Sequence, residues 1–201
     1  VKYFFIPVFK PKQNIINLLE DKHKIAYSFI TFLFLGCIYT ITVYIGYQKG
    51  FGAVQEPFLK IPAEDYYFWQ MFYQIPLFII IAILFAGTVR LTSLIFKGEG
   101  TFEDIFAICC VSLTFPMFLL MWVPESILVF FFDDQRLTPL GGFKIYPMWF
   151  DYLRLLAGII WPIVVIIRGI IISEKLHWLS STIITLIASI PLTAFMIIFV
   201  R

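Results

Sequence analysis

The sequence predicts an all-α polytopic membrane bundle of about five transmembrane helices, with the N-terminus inside and the C-terminus outside. Three observations predict it. Of 201 residues, 61% are apolar and only 14% are charged. A soluble domain is about 45–50% apolar and about 25% charged. Five apolar stretches reach the ~20 residues that a helix needs to cross about 30 Å of hydrocarbon. Lys and Arg show a modest bias to one side of those stretches, nine against six. The same composition excludes other classes. A net charge of +2 gives no footing for nucleic acid. Three cysteines, two of them adjacent at Cys109 and Cys110, do not make a disulfide framework.

Residues 1–24 are read as an N-terminal segment ahead of a membrane domain over 25–201. Ile15, Ile16, Leu18 and Leu19 recur at helical spacing between Lys12 and the charges of 20–24. An amphipathic helix fits, either lying in the interface or packed under the bundle. The spans are predicted at about 25–47, 69–90, 105–123, 155–172 and 179–200. The first carries no charge, and the fourth contains Arg168.

The connecting segments carry their own signals. Gly50, Gly52, Pro57 and Pro62 mark a loop. Pro62 followed by Glu64 and Asp65 marks a helix start, because acids there face the positive end of the helix dipole. Tyr66, Tyr67 and Trp69 form an aromatic belt at the outer interface. Gly98 and Gly100 predict a tight inner turn, and Thr101 with Asp104 matches the capping-box spacing. Residues 127–132 are apolar but too short to span, so they lie on the outer surface or extend the third helix. Pro139, Gly141 and Gly142 then mark a turn, with Trp149 and Tyr152 at the interface. With the N-terminus inside, nine of the 15 Lys and Arg residues fall on the inner side and six on the outer.

Inside the bilayer, four spans hold a proline: Pro76, Pro116, Pro162 and Pro191. Each frees the carbonyl four residues back, on Phe72, Ser112, Gly158 and Ile187. Kinked helices with freed carbonyls occur in transporters, and equally in helices that only bend. Ser181, Thr185, Ser189 and Thr193 form a hydroxyl seam at four-residue spacing, suited to packing in the bundle or to a partner. Ala82 and Ala86 repeat the pattern in the second span. No Asp or Glu sits in the middle of a span, which argues against proton-coupled transport. Arg90 lies about 31 Å along the helix from Trp69, at the inner interface. Arg168 can snorkel toward Lys175. Both arginines are candidate contacts for anionic lipid headgroups.

No chemical constellation emerges. His23 and His177 sit at inner span ends, away from Ser112 and Ser189, and no Gly-x-Ser-x-Gly elbow or His-Glu-x-x-His motif is present. Cys109 and Cys110 point about 100° apart on a helix. Glu64, Asp65, Glu125, Asp133 and Asp134 are read as solvated acids or helix starts rather than a cation site. The expectation is a protein without catalytic residues, metal or cofactor.

The order of motifs resembles the Yip family, five-span membrane proteins named for interaction with Ypt/Rab GTPases. Phe9-Lys10-Pro11-Lys12 resembles the start of prokaryotic members. Ile61-Pro62-Ala63-Glu64-Asp65-Tyr66-Tyr67 is similar ahead of the second span. Gly98-Glu99-Gly100-Thr101-Phe102 resembles the family's Gly-x-Gly-[Thr/Ser]-Phe turn, with Pro116 further on. Trp161, Gly169 and His177-Trp178-Leu179-Ser180 resemble the fourth-span end and the turn into the last helix. The Asp-Leu-Tyr-Gly-Pro motif and long cytosolic N-terminal region of eukaryotic members are missing. The resemblance therefore implies a prokaryotic cytoplasmic (inner) membrane rather than the Golgi, without a Rab partner. It implies a non-enzymatic protein that assists other membrane machinery, in contact with another membrane protein or a second copy. Gly98, Gly100, Thr101, Phe102 and the hydroxyl seam are the candidate surfaces. A small transporter or channel, and a lipid-handling protein, stand as alternatives.

Overall fold

The computed structural model describes residues 3–7, 10–51, 61, 62, 64–132 and 147–199. They form α1 (Pro11–Glu20), α2 (Lys24–Gln48), α3 (Tyr66–Ile95), α4 (Phe102–Met117), α5 (Val123–Phe131), α6 (Met148–Glu174) and α7 (Trp178–Phe199). No strand occurs among the described residues. Four stretches are long and apolar enough to cross a membrane: α2, α3, the run from Phe102 to Phe131, and α6 from Tyr152. Helix α7 is the fifth apolar helix, so the predicted helical bundle of about five spans is what the chain forms. The expected features at Gly52, Pro57, Asp133, Asp134, Pro139, Gly141 and Gly142 lie outside the described residues.

The helices pack around a large apolar centre, with a smaller cluster of Val43, Tyr66 and Tyr67 at one end of α2 and α3. Helix α2 lies against α3 and α4, α3 against α7, and α4 against α6. Ala82, Ala86 and Val89 of α3, Ile105 to Val111 of α4, Ile166 and Ile170 of α6, and Ile184 and Ala188 of α7 are all buried there. Helix α6 approaches α4 closely at Gly169. A Cβ built on Gly169 would meet Ile108 Cγ2 at 2.4 Å, so only glycine fits. The residues left exposed along the helices, such as Ile30, Phe34, Ile83, Leu156 and Ile190, are themselves apolar. That pattern is expected of a bundle whose outer surface meets lipid rather than water.

Three features differ from the sequence-based picture. First, helices α3 and α6 overrun the predicted spans at both ends, because the interfacial turns with Tyr66, Tyr67, Trp149 and Tyr152 are helical too. Second, the third span does not stop at 123. The chain runs from α4 through a π-helical turn, Phe118–Trp122, into α5. Residues 127–131 extend the third helix, one of the two expected outcomes. Pro116 and Pro124 bracket the wide turn. Neither has an N–H to close an ordinary turn behind it, and a π-turn is one way helices absorb that loss.

Third, of the two placements expected for the N-terminal helix the packed one is seen, and the residues ahead of it insert as well, which is not expected from the sequence. Ile15 and Leu18 of α1 are fully buried under the bundle. Ahead of α1, residues 3–7 fold back between helices. Phe4 packs edge-on against Phe115 and Phe118, with ring centroids 5.3 and 5.5 Å apart. Trp161 Nε1 donates to the Pro7 carbonyl at 3.0 Å, and the Tyr3 hydroxyl donates to Asp21 at 2.7 Å. So short a run has no readable period, which is why its insertion is invisible in the sequence.

Candidate functional site

The polar groups of the helix ends converge where α3 turns into α4 and α6 turns into α7. Helix α3 ends at Ile95, and the chain reverses through Lys97 with φ +62°. Helix α6 ends at Glu174, and Lys175 adopts φ +53°. Both are left-handed conformations that a non-glycine residue adopts at a cost of order 1 kcal/mol. Between them stands Glu174, fully buried.

The Glu174 carboxylate organises the surrounding backbone. Arg90 Nη1 lies 2.7 Å from Glu174 Oε2 and also donates to the Gly98 carbonyl at 3.2 Å. The Gly100 N–H donates to the same Oε2 at 2.9 Å. The Glu99 N–H donates to the Glu174 main-chain carbonyl at 3.2 Å. This explains the two glycines. A Cβ on Gly98 would fall 2.4 Å from Oε2, and one on Gly100 would fall 2.8 Å from the Ser173 carbonyl and 3.0 Å from Glu174 Cδ. The turn therefore wraps the carboxylate with bare backbone. Outside it, Lys175 Nζ pairs with Glu99 at 2.7 Å, both side chains largely exposed.

The start of α4 is fixed by the expected capping box. The Asp104 N–H donates to Thr101 Oγ1, and the Thr101 N–H donates back to Asp104 Oδ2, both at 3.2 Å. Asp104 also pairs with Lys24 at the start of α2. Four helices are thus tied at one face: α2 through Lys24, α3 through Arg90, α4 through its cap, and α6 through Glu174. Phe102 is 41% exposed and stacks on Phe106.

The other candidate residues fall elsewhere. Arg168 is exposed on α6. Ser181 and Thr185 are buried, Ser189 is half-buried and Thr193 is exposed. The Ser181, Thr185 and Ser189 hydroxyls donate to the carbonyls of His177, Ser181 and Thr185 in their own helix. The buried part of the seam faces the bundle, where α7 lies against α3 and α6. Arg90, more than a turn before the end of α3, is engaged by Glu174 and the turn.

At the opposite face a second polar group lies inside the helices. The Tyr39 hydroxyl donates to Glu125. Gln70 Nε2 donates to Gln74 Oε1 at 2.7 Å, and Trp122 Nε1 to Thr42 Oγ1 at 2.9 Å. Arg154, only 5% exposed, donates through Nη1 to the Leu120 carbonyl in the π-turn at 2.8 Å. Among the described residues no group of three His, Cys, Asp or Glu side chains is arranged to hold a metal ion.

Sequence reasoning missed Glu174 and Arg154. Glu174 had one usable signal. It is an acid closing an apolar run on the side where Arg90 closes another, and two such charges seek each other when removed from water.

No curated protein and no solved structure matches this chain. The Yip1 domain model matches residues 7–201, nearly the whole chain. The chain belongs to the Yip1-domain family of membrane proteins.

Proposed function

We propose that this integral membrane protein is non-enzymatic and works by binding and assisting other membrane proteins. One observation carries the reading. The two cross-braced turns hold a mixed surface stiffly at one end of the bundle: Ile95, Phe102 and Trp178 at 78%, 41% and 59% exposure, beside Lys97, Glu99 and Lys175. Pre-ordered aromatic and charged groups suit protein contacts, because little side-chain freedom is lost on binding. The apolar filling of the bundle centre speaks against a transport path through it. We place the membrane as a prokaryotic cytoplasmic membrane, with this face inside. A second copy of the chain is one candidate partner.

The test is a photo-crosslinking residue at Phe102, activated in native membranes, with adducts identified by mass spectrometry. Reproducible adducts with one membrane protein, lost on Gly98→Ala, are expected. Recovery of the uncrosslinked chain at every expression level sinks the proposal. Exposed Arg168 supports a second reading, contact with anionic headgroups. Equal liposome flotation of wild type and Arg168→Ala on anionic lipid would remove it.

A further inference from the structure

We propose that the Gly98–Thr101 turn is a carboxylate receptor. In the resting fold it is filled by Glu174, and with that side chain removed it takes up a small free carboxylate. The elements exceed what an ion pair requires. A guanidinium and a backbone N–H converge on one oxygen, at 2.7 and 2.9 Å. Two positions, Gly98 and Gly100, lack the Cβ atoms that would fill the seat. A main-chain hydrogen bond from Glu99 to the Glu174 carbonyl sets the register. The N-terminus of α4, the positive end of its dipole, begins directly after the turn. All of these favour an oxyanion. The charges just outside the seat, Lys97, Glu99 and Lys175, are exposed, with the last two paired to each other.

The occupant fits imperfectly. Glu174 binds through Oε2, while Oε1 is buried with no hydrogen-bond partner among the described residues. Its stem is fixed to the last turn of α6, and in that position both donors fall on one oxygen. An untethered acetate is free of that constraint. The receptor therefore remains competent for a ligand in trans when the tether is cut.

The test uses the full chain in detergent, with thermal unfolding followed by tryptophan fluorescence. Wild type, Glu174→Ala and Arg90→Met/Glu174→Ala are melted in sodium acetate and in sodium chloride at equal ionic strength. Glu174→Ala is expected to melt lower than wild type and to regain at least half the loss in acetate, with saturation. Wild type and the double variant should respond alike to the two salts. An identical response of Glu174→Ala to acetate and chloride overturns the proposal. A second readout does not depend on that variant accumulating. In the exchanged pair Arg90→Glu/Glu174→Arg, a simple ion pair is restored, whereas a receptor presents the Gly100 N–H to a cation. The exchanged protein is expected to melt no higher than Arg90→Met. Recovery of wild-type melting in it would establish a plain ion pair and overturn the receptor.

Discussion

The two ends of the bundle solve one problem in opposite ways. Each must satisfy polar groups where helices end or break near hydrocarbon. At the α3–α4 and α6–α7 end, a side-chain acid is brought to the backbone: Glu174 receives the turn and Arg90. At the other end, a side-chain base is brought to it: Arg154 donates to the Leu120 carbonyl of the π-turn. The first arrangement ties separate helices together through one residue. The second repairs a single helix, and its neighbouring bonds, Tyr39 with Glu125 and Trp122 with Thr42, spread the load over several side chains. The first end should therefore fail as a unit, and the second piecemeal.

Gly98→Ala is the strongest way to break this contrast. Its Cβ would sit 2.4 Å from an oxygen that is itself held by Arg90 and Gly100. Overpacking of this kind costs about 1–3 kcal/mol, and here the upper end applies because the displaced group is a buried charge. Thermal unfolding should show a clear drop, and a protease should find the α3–α4 turn. Wild-type resistance at that turn would mean that the end is not one unit.

Arg154→Met probes the other end. It leaves a carbonyl in the π-turn without that donor, a loss of about 1–3 kcal/mol. The effect should be local. Hydrogen exchange should rise around residues 118–124 and stay unchanged at Gly100. Faster exchange at both ends would show that the two regions are coupled, against the contrast drawn here.

How much of this was legible in the sequence follows the same division. The span count, the capping box at Thr101 and Asp104, and the tight turn at Gly98 and Gly100 can be read because each rests on local spacing. The object the turn encloses could not be read. Glu174 lies far along the chain, and spacing says nothing about contacts between distant segments. At the other end the local signal leaves the answer open. Spacing leaves two outcomes open for residues 127–132, and the chain takes the continuous one through a π-turn, where Arg154 from another helix donates to the Leu120 carbonyl. The insertion of residues 3–7 depends in the same way on Trp161 and Phe115, both remote in sequence.

A smaller effect tests that insertion. Trp161→Phe keeps an aromatic ring against Phe115 and removes the donor to Pro7. The loss is one hydrogen bond, about 1 kcal/mol. Limited proteolysis should cut the N-terminal segment sooner, while the Gly98 turn stays protected. Unchanged cutting of the segment would show that ring packing alone holds it.

The smallest effect belongs to the Lys175–Glu99 pair, which bridges the same two turns from outside. The hydrogen bond from Lys175, and then its charge, hold the Glu99 carboxyl below its ordinary range. The same contact raises Lys175. A lowered acid stabilises the fold above its unfolded pKa and loses that contribution as pH falls through the folded value. A raised base stabilises below its unfolded pKa and loses the contribution as pH rises through the folded value. The pair is thus complete across neutral pH and fails at both extremes. Both side chains are largely exposed, so salt and water screen it. Glu99→Gln should leave the melting temperature at neutral pH and physiological salt within measurement error. Only at low salt should it flatten the acid limb of the stability profile. A loss at physiological salt as large as that of Gly98→Ala would mean that the outer pair, not the buried carboxylate, holds the two turns together.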